Sequence, residues 1–111
     1  MQYDREFLTG SLTTLILALL GERAMYGYEI LKEAERRSSQ QLTMKEGTLY
    51  PALHQLERTG LLKADWRRAD SGRSRKYYTL TARGRREAAS KREQWEAMSA
   101  AMRSILGGQD G

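Results

Sequence analysis

Residues 43–60, TMKEGTLYPALHQLERTG, place Gly47, Pro51, His54, Gln55 and Arg58 on or near one side of a helix. Lys45 and Thr48 flank its N-terminal end, and Tyr50 falls on one shoulder. At about 100° per residue, Leu49, Ala52, Leu53 and Leu56 take the opposite side. Lys, His and Gln side chains reach base edges or phosphates, Thr and Pro offer apolar contact to a thymine methyl, and a helix N-terminus attracts phosphate. Small Gly47 and compact Pro51 let a backbone approach closely. The same residues also make an ordinary solvated face, His54 alone carries no weight, and Tyr50 equally suits packing under the segment that follows. Thr43 and Glu46 match a capping box, which predicts a helix from Thr43 to Gly60. Pro51 sits eight residues inside it, removing one donor and crowding the carbonyl of Gly47.

A second basic cluster lies just downstream. Lys63, Arg67, Arg68, Arg73, Arg75 and Lys76 stand against Asp65 and Asp70, with Arg73, Arg75 and Lys76 close behind the turn residue Gly72. Such a tip suits phosphate or minor-groove contact, although arginines on a loop also serve solubility. The chain has 111 residues, enough for one small domain with a modest core, so self-association is a natural way to bury more surface. A formal charge of +5 favours an anionic partner such as nucleic acid or an acidic surface, although basic proteins without such partners are common. With no cysteine and one histidine, thiolate catalysis and cysteine or histidine metal clusters are excluded. No phosphate-loop pattern and no paired carboxylates are present, so no catalytic residue, metal ligand or cofactor is assigned. The apolar run from Leu15 to Leu20 is too short to span a bilayer and nothing resembles a signal peptide; a cytoplasmic protein without a membrane partner is expected.

Positioning these residues requires a scaffold, and the hydrophobic periodicity supplies one. Leu8, Leu12, Leu15, Ile16 and Leu19 form a stripe on a first helix over residues 8–20, with Thr9 or Ser11 as start signal and Gly21 as stop. Residues 23–38 read as a second helix, with Tyr28, Leu31, Ala34 and Glu35 at i, i+3 spacing. Residues 61–81 read as two extended runs around the turn Ala69-Asp70-Ser71-Gly72. A long helix follows to about Leu106, stopped by Gly107 and Gly108. The fold expected is mainly α with a small β-hairpin. A winged helix-turn-helix occupies 1–80, a C-terminal dimerisation helix 81–106, and a flexible tail 107–111.

MYGYEIL (25–31), EGTLYPALHQLERTGLL (46–62) and GRSRKYYTLTARG (72–84), in order and at these separations, resemble the PadR family of transcriptional regulators. The resemblance spans residues 8–84, and the short closing helix is similar to that of the small subfamily. It implies a bacterial DNA-binding regulator, usually a repressor, that acts as a homodimer and releases its operator when a small ligand binds. It places Leu49, Tyr50 and Pro51 in the recognition helix, Tyr26 in the second helix near the DNA backbone, and residues 72–78 in the wing. Gln55 stands where the family often has arginine.

On the last helix Ala88, Trp95, Met98, Met102 and Ile105 share a face, while Lys91, Arg92, Glu93 and Glu96 lie mainly elsewhere. A lone amphipathic helix needs a partner, and a second copy provides one, with half-sites about 34 Å apart on DNA. Trp95, Met98, Met102 and Ile105 are the expected dimer interface. Trp95 with Met98 and Met102 also resembles the site at which drug-sensing members of the subfamily stack a flat aromatic effector; an interface anchor is the simpler role for the tryptophan. A winged helix that binds another protein instead of DNA is the remaining alternative.

Overall fold

The computed structural model describes residues 5–107, with side chains from Gly10 onward. Four α-helices and three short strands follow one another as α1 (Arg5–Leu20), β1 (Met25–Tyr26), α2 (Gly27–Arg37), α3 (Glu46–Arg58), β2 (Leu62–Arg68), β3 (Ser74–Leu80) and α4 (Ala82–Met102). A π-helical turn, Arg103–Gly107, ends the last helix. The chain is thus a winged helix-turn-helix, with α2 and α3 as the helix pair and β2–β3 as the wing.

α1 is the hub, touching α2, α3, α4 and β3. Because it has neighbours on several sides, its buried surface is wider than one stripe: Leu12, Ile16, Leu17, Leu19 and Leu20 are all buried, whereas Leu15 is half-buried. Leu8, expected on that stripe, lies outside the described side chains. The helix begins at Arg5, so Thr9 and Ser11 sit inside it; residues 5–10 contain no proline to halt a helix growing in that direction. Met25, Ile30, Leu49, Leu53, Leu56, Leu62, Tyr78 and Leu80 complete the core. Each fully buried leucine contributes about 1.5–3 kcal/mol relative to exposure.

The second element differs from its expectation. Met25 and Tyr26 pair antiparallel with Tyr78 and Tyr77, which makes the wing a three-stranded sheet in the order β1-β3-β2. Tyr26 therefore lies in a strand, and α2 starts only at Gly27, where Glu29 Oε1 accepts the Tyr26 N–H at 3.1 Å. Starting there turns Gly27 and Ile30 inward beside the expected Ala34 and leaves Tyr28, also expected on that stripe, 48% exposed, while the expected Leu31 packs half-buried against the core.

The Thr43–Glu46 capping box is not formed. Lys45 is the N-cap of α3 without a side-chain cap bond, its carbonyl accepting from Thr48 N (2.9 Å) and Leu49 N (3.1 Å). Residues 42–45 stay outside the helix, with Lys45 extended, and Ser38 Oγ accepts the Leu42 N–H at 2.9 Å while Met44 packs against the core. Pro51 does lie inside α3 on its exposed side, and Gly60, at φ +87°, turns the chain into β2.

Thr81 joins the wing to α4. Its hydroxyl donates to the Gly60 carbonyl (2.7 Å) and accepts the Gly84 N–H (3.0 Å), while Arg83 Nη1 reaches the Thr59 carbonyl at 2.8 Å. Gly84 is buried with its Cα directly against the Leu61 carbonyl, leaving no room for a side chain. Of the tail expected at 107–111, only Gly107 falls within the described residues.

Gly84→Ala is expected to destabilise the fold by about 1–3 kcal/mol through this clash. Gly10→Ala meets nothing within 4 Å, and by removing a mid-helix glycine it is expected to stabilise by up to about 1 kcal/mol. Thermal unfolding of the two variants beside the parent should move Tm in opposite directions.

Candidate nucleic-acid interface

α3 exposes Lys45, Thr48, Pro51, His54, Gln55 and Arg58, because Leu49, Leu53 and Leu56 are fixed in the core behind them. Arg58 donates to Gln55 Oε1, so these two side chains occupy each other at the C-terminal end of the face. Tyr50 differs from the rest of the face. It is half-buried, and a Cβ on Gly27 would come within 2.5 Å of its ring, so the absence of a side chain at Gly27 is what lets α2 and α3 close on it. Burial raises its phenol pKa, with Glu46 adding to the effect.

The wing carries different chemistry on its two faces. On one, Tyr26 and Tyr77 pack edge to face at 5.4 Å, with the Arg75 guanidinium 4.5 Å over Tyr26 and that of Arg67 4.7 Å over Tyr77. Arg67 also donates to Asp65 Oδ2 at 3.2 Å. On the other face, the row Leu62, Ala64, Trp66 of β2 stands opposite Leu80, Tyr78, Lys76 of β3. Lys76 Nζ reaches Glu57 of α3 at 3.2 Å, and that carboxylate is the main reason its pKa is raised. Arg68 and Arg73 make no ion pair among the described residues.

α3 and the wing meet in one concavity of about 290 Å³, lined by Tyr26, Gly27, Tyr50, His54, Trp66, Ser74, Arg75, Lys76 and Tyr78. Of the expected residues, Tyr26, Tyr50, His54, Arg75 and Lys76 line it, and Pro51 is exposed on the same helix as His54. Lys45 and Thr48 lie farther along α3, at its start, and Arg73 lies at the wing turn. Trp66, in the same wall, is not singled out by its residue type; the period of two along β2 is the signal that puts it on the face of Ala64 and Leu62.

Arg36 and Arg37, the basic pair that ends α2, are engaged within the chain. Arg37 donates to both oxygens of Glu22 (2.7 and 2.6 Å) and to Glu33 at 3.0 Å, and Arg36 holds Glu33 at 2.9 Å. The two guanidiniums lower the Glu33 carboxyl to about 2, and the Glu22 carboxyl is likewise lowered by Arg37.

Trp95, Met98 and Met102 on α4 and Ile105 in the turn that ends it are all exposed, while Ala88 packs against the core. Trp95 and Met98 come together with Gly10, Thr14, Lys91 and Gln94 in a concavity of about 200 Å³ between α1 and α4. Met102 and Ile105 do not line it. Among the described residues no helix is long and apolar enough to cross a membrane, and no group of three or more His, Cys, Asp or Glu is placed to hold a metal ion.

Comparison with known proteins agrees with this architecture. A family model described as the transcriptional regulator PadR-like family matches residues 16–90. The chain is 35% identical over 105 residues to transcriptional regulator Rv3488 of Mycobacterium tuberculosis, covering 95% of this chain and 92% of that one. Among solved structures, a transcriptional regulator from Clostridium thermocellum matches with a TM-score of 0.81 at 32% identity, over 91% of this chain and 98% of its own. The PadR-like transcriptional regulator BC4206 of Bacillus cereus gives a TM-score of 0.81 at 25% identity, over 94% and 99% of the respective chains.

The Glu33 cluster has a testable pH dependence. Its folded pKa of about 2 lies below the ordinary 4.5, so its stabilising effect is complete above pH 4.5 and is lost as pH falls toward 2. Glu33→Gln should therefore lower stability at neutral pH and narrow its gap to the parent as the solution is acidified, as followed by urea unfolding at a series of pH values.

Proposed function

The chain belongs to the PadR-like family of transcriptional regulators, and from that premise we propose that it is a repressor that binds an inverted-repeat operator in double-stranded DNA as a homodimer. The observation that carries this reading is the continuity of the exposed α3 face with the basic wing across one shared concavity. Lys45, Thr48, Pro51 and His54 enter the major groove, and Tyr50 supports them from behind by packing on Gly27. Arg73 and Arg75, with Lys76, hold the flanking backbone or minor groove. Tyr26 lies beneath Arg75 and sets the position of that guanidinium as much as its own approach to phosphate.

In this reading residues 1–80 bind DNA, residues 81–106 pair two copies in the cytoplasm, and residues 107–111 are a tail. Trp95, Met98, Met102 and Ile105 leave a large apolar stripe in water, at 48, 60, 43 and 74% exposure, and a second copy related by a two-fold axis covers it. The concavity beside Trp95 and Met98, closed by the partner, takes a small planar aromatic ligand that releases the DNA, while Met102, outside it within one copy, serves the paired stripe.

The experiment is a gel shift against the DNA upstream of the chain's own gene, over a range of salt. Arg73→Ala should weaken binding to all sequences and reduce the salt slope by about 1, whereas Lys76→Ala should change the slope less, since Glu57 already neutralises Lys76. A protein that shifts no duplex at low salt would instead be a protein-interaction module. Sedimentation should show a dimer that Met102→Glu dissociates, and planar aromatic ligands should quench Trp95 fluorescence in the dimer; a monomeric parent or an unresponsive Trp95 would remove the corresponding part of the reading.

A further inference from the structure

Trp66 is 68% exposed, an unusual position for so large an apolar ring. It extends the inward row of β2 beyond the point where the core ends: Leu62 is buried, Ala64 half-buried, and Trp66 stands clear opposite Lys76. Among the described residues its indole N–H has no hydrogen-bond partner and its ring no aromatic or cationic partner. The fold gives it no use. It forms part of the wall of the concavity that separates α3 from the wing, with His54 and Tyr50 across from it, and Arg68 and Arg73 of the wing make no ion pair among the described residues.

We propose that Trp66 is a DNA-contacting residue that grips the sugar–phosphate strand running between the two grooves, its ring against a deoxyribose and its indole N–H donating to a phosphate oxygen. The inference rests on the DNA-binding reading above. A helix lying in the major groove and a wing tip reaching the flanking minor groove are separated by one backbone strand, and the concavity between them is where that strand passes. The surrounding charge suits that occupant. An aromatic body with one donor at its edge fits a surface that is apolar at the sugar and anionic at the phosphate. Because the ring is neutral, its grip adds affinity without adding to the counterions released, unlike that of Arg73.

The full-length protein labelled with 5-fluorotryptophan gives one ¹⁹F resonance for each of its two tryptophans, assigned with Trp66→Phe. On titration with a duplex that the gel shift shows to be bound, the Trp66 resonance should shift and lose its dependence on H₂O versus D₂O. Trp66→Ala should keep the parent's thermal unfolding, weaken binding roughly tenfold and leave the salt slope unchanged; Trp66→Phe should fall between the two. Three results overturn the inference: a bound duplex with Trp66 still open to solvent, undiminished affinity of Trp66→Ala, or a Trp66 resonance that moves with protein concentration in the absence of DNA, which assigns the ring to a second copy. The first two leave DNA binding standing; failure to bind any duplex removes both readings together.

Discussion

The hydroxyl of Thr81 ties the end of the reading unit to the start of the last helix. It accepts from Gly84 and donates to Gly60, so the exit of α3 and the first turn of α4 share one anchor. The backbone N–H of Thr81 adds a bond to the Leu61 carbonyl at 3.1 Å, against which Gly84 lies. Each hydrogen bond contributes only about 0.5–1.5 kcal/mol net, but the glycine contact is steric and permits little adjustment. The angle between α3 and α4 is therefore fixed locally. In the proposed dimer, α4 defines the symmetry axis and α3 enters the DNA, so this junction, with α1 packed on both helices, sets the distance between the two reading helices.

What could be read in the sequence was whatever one segment specifies by itself. Leu49, Leu53 and Leu56 announce their helix by spacing, and they lie in the core as expected. The run from Ala69 to Gly72 announces a turn, and the chain turns there with Gly72 at φ +88°. Features decided by a distant partner were not legible. β1 is two residues long and exists because β3 offers it an edge. The inward stripe of α2 depends on where β1 lets that helix begin. The capping box at Thr43 is a sound local signal overridden by Ser38 and Met44, which tie down the segment ahead of α3 so that the helix starts only after Lys45.

The same division runs through the candidate site. The outward face of α3 followed from its inward one, so Lys45, Thr48, Pro51 and His54 could be named in advance. The state of each charge could not. Arg37 is bound by a carboxylate fifteen residues away, and Lys76 by one on another element. A count of basic residues thus overstates the free charge of the surface, because exposed pairs of this kind contribute little to stability yet remove both partners from the outward field. Residue type identifies a cation, and only the fold tells whether it is still available.

The third strand changes what the wing is. An isolated two-stranded hairpin is marginal in water, but here β3 is held on both edges, Arg75 rests on Tyr26, and Lys76 is latched to α3. The hairpin's conformational entropy is spent when the chain folds, so little of it is left to lose on association. Such a wing is a rigid caliper. In the proposed complex with DNA it should favour a groove whose width matches its fixed span and reject others by misfit, so that sequences differing only in shape would be told apart at positions no side chain touches.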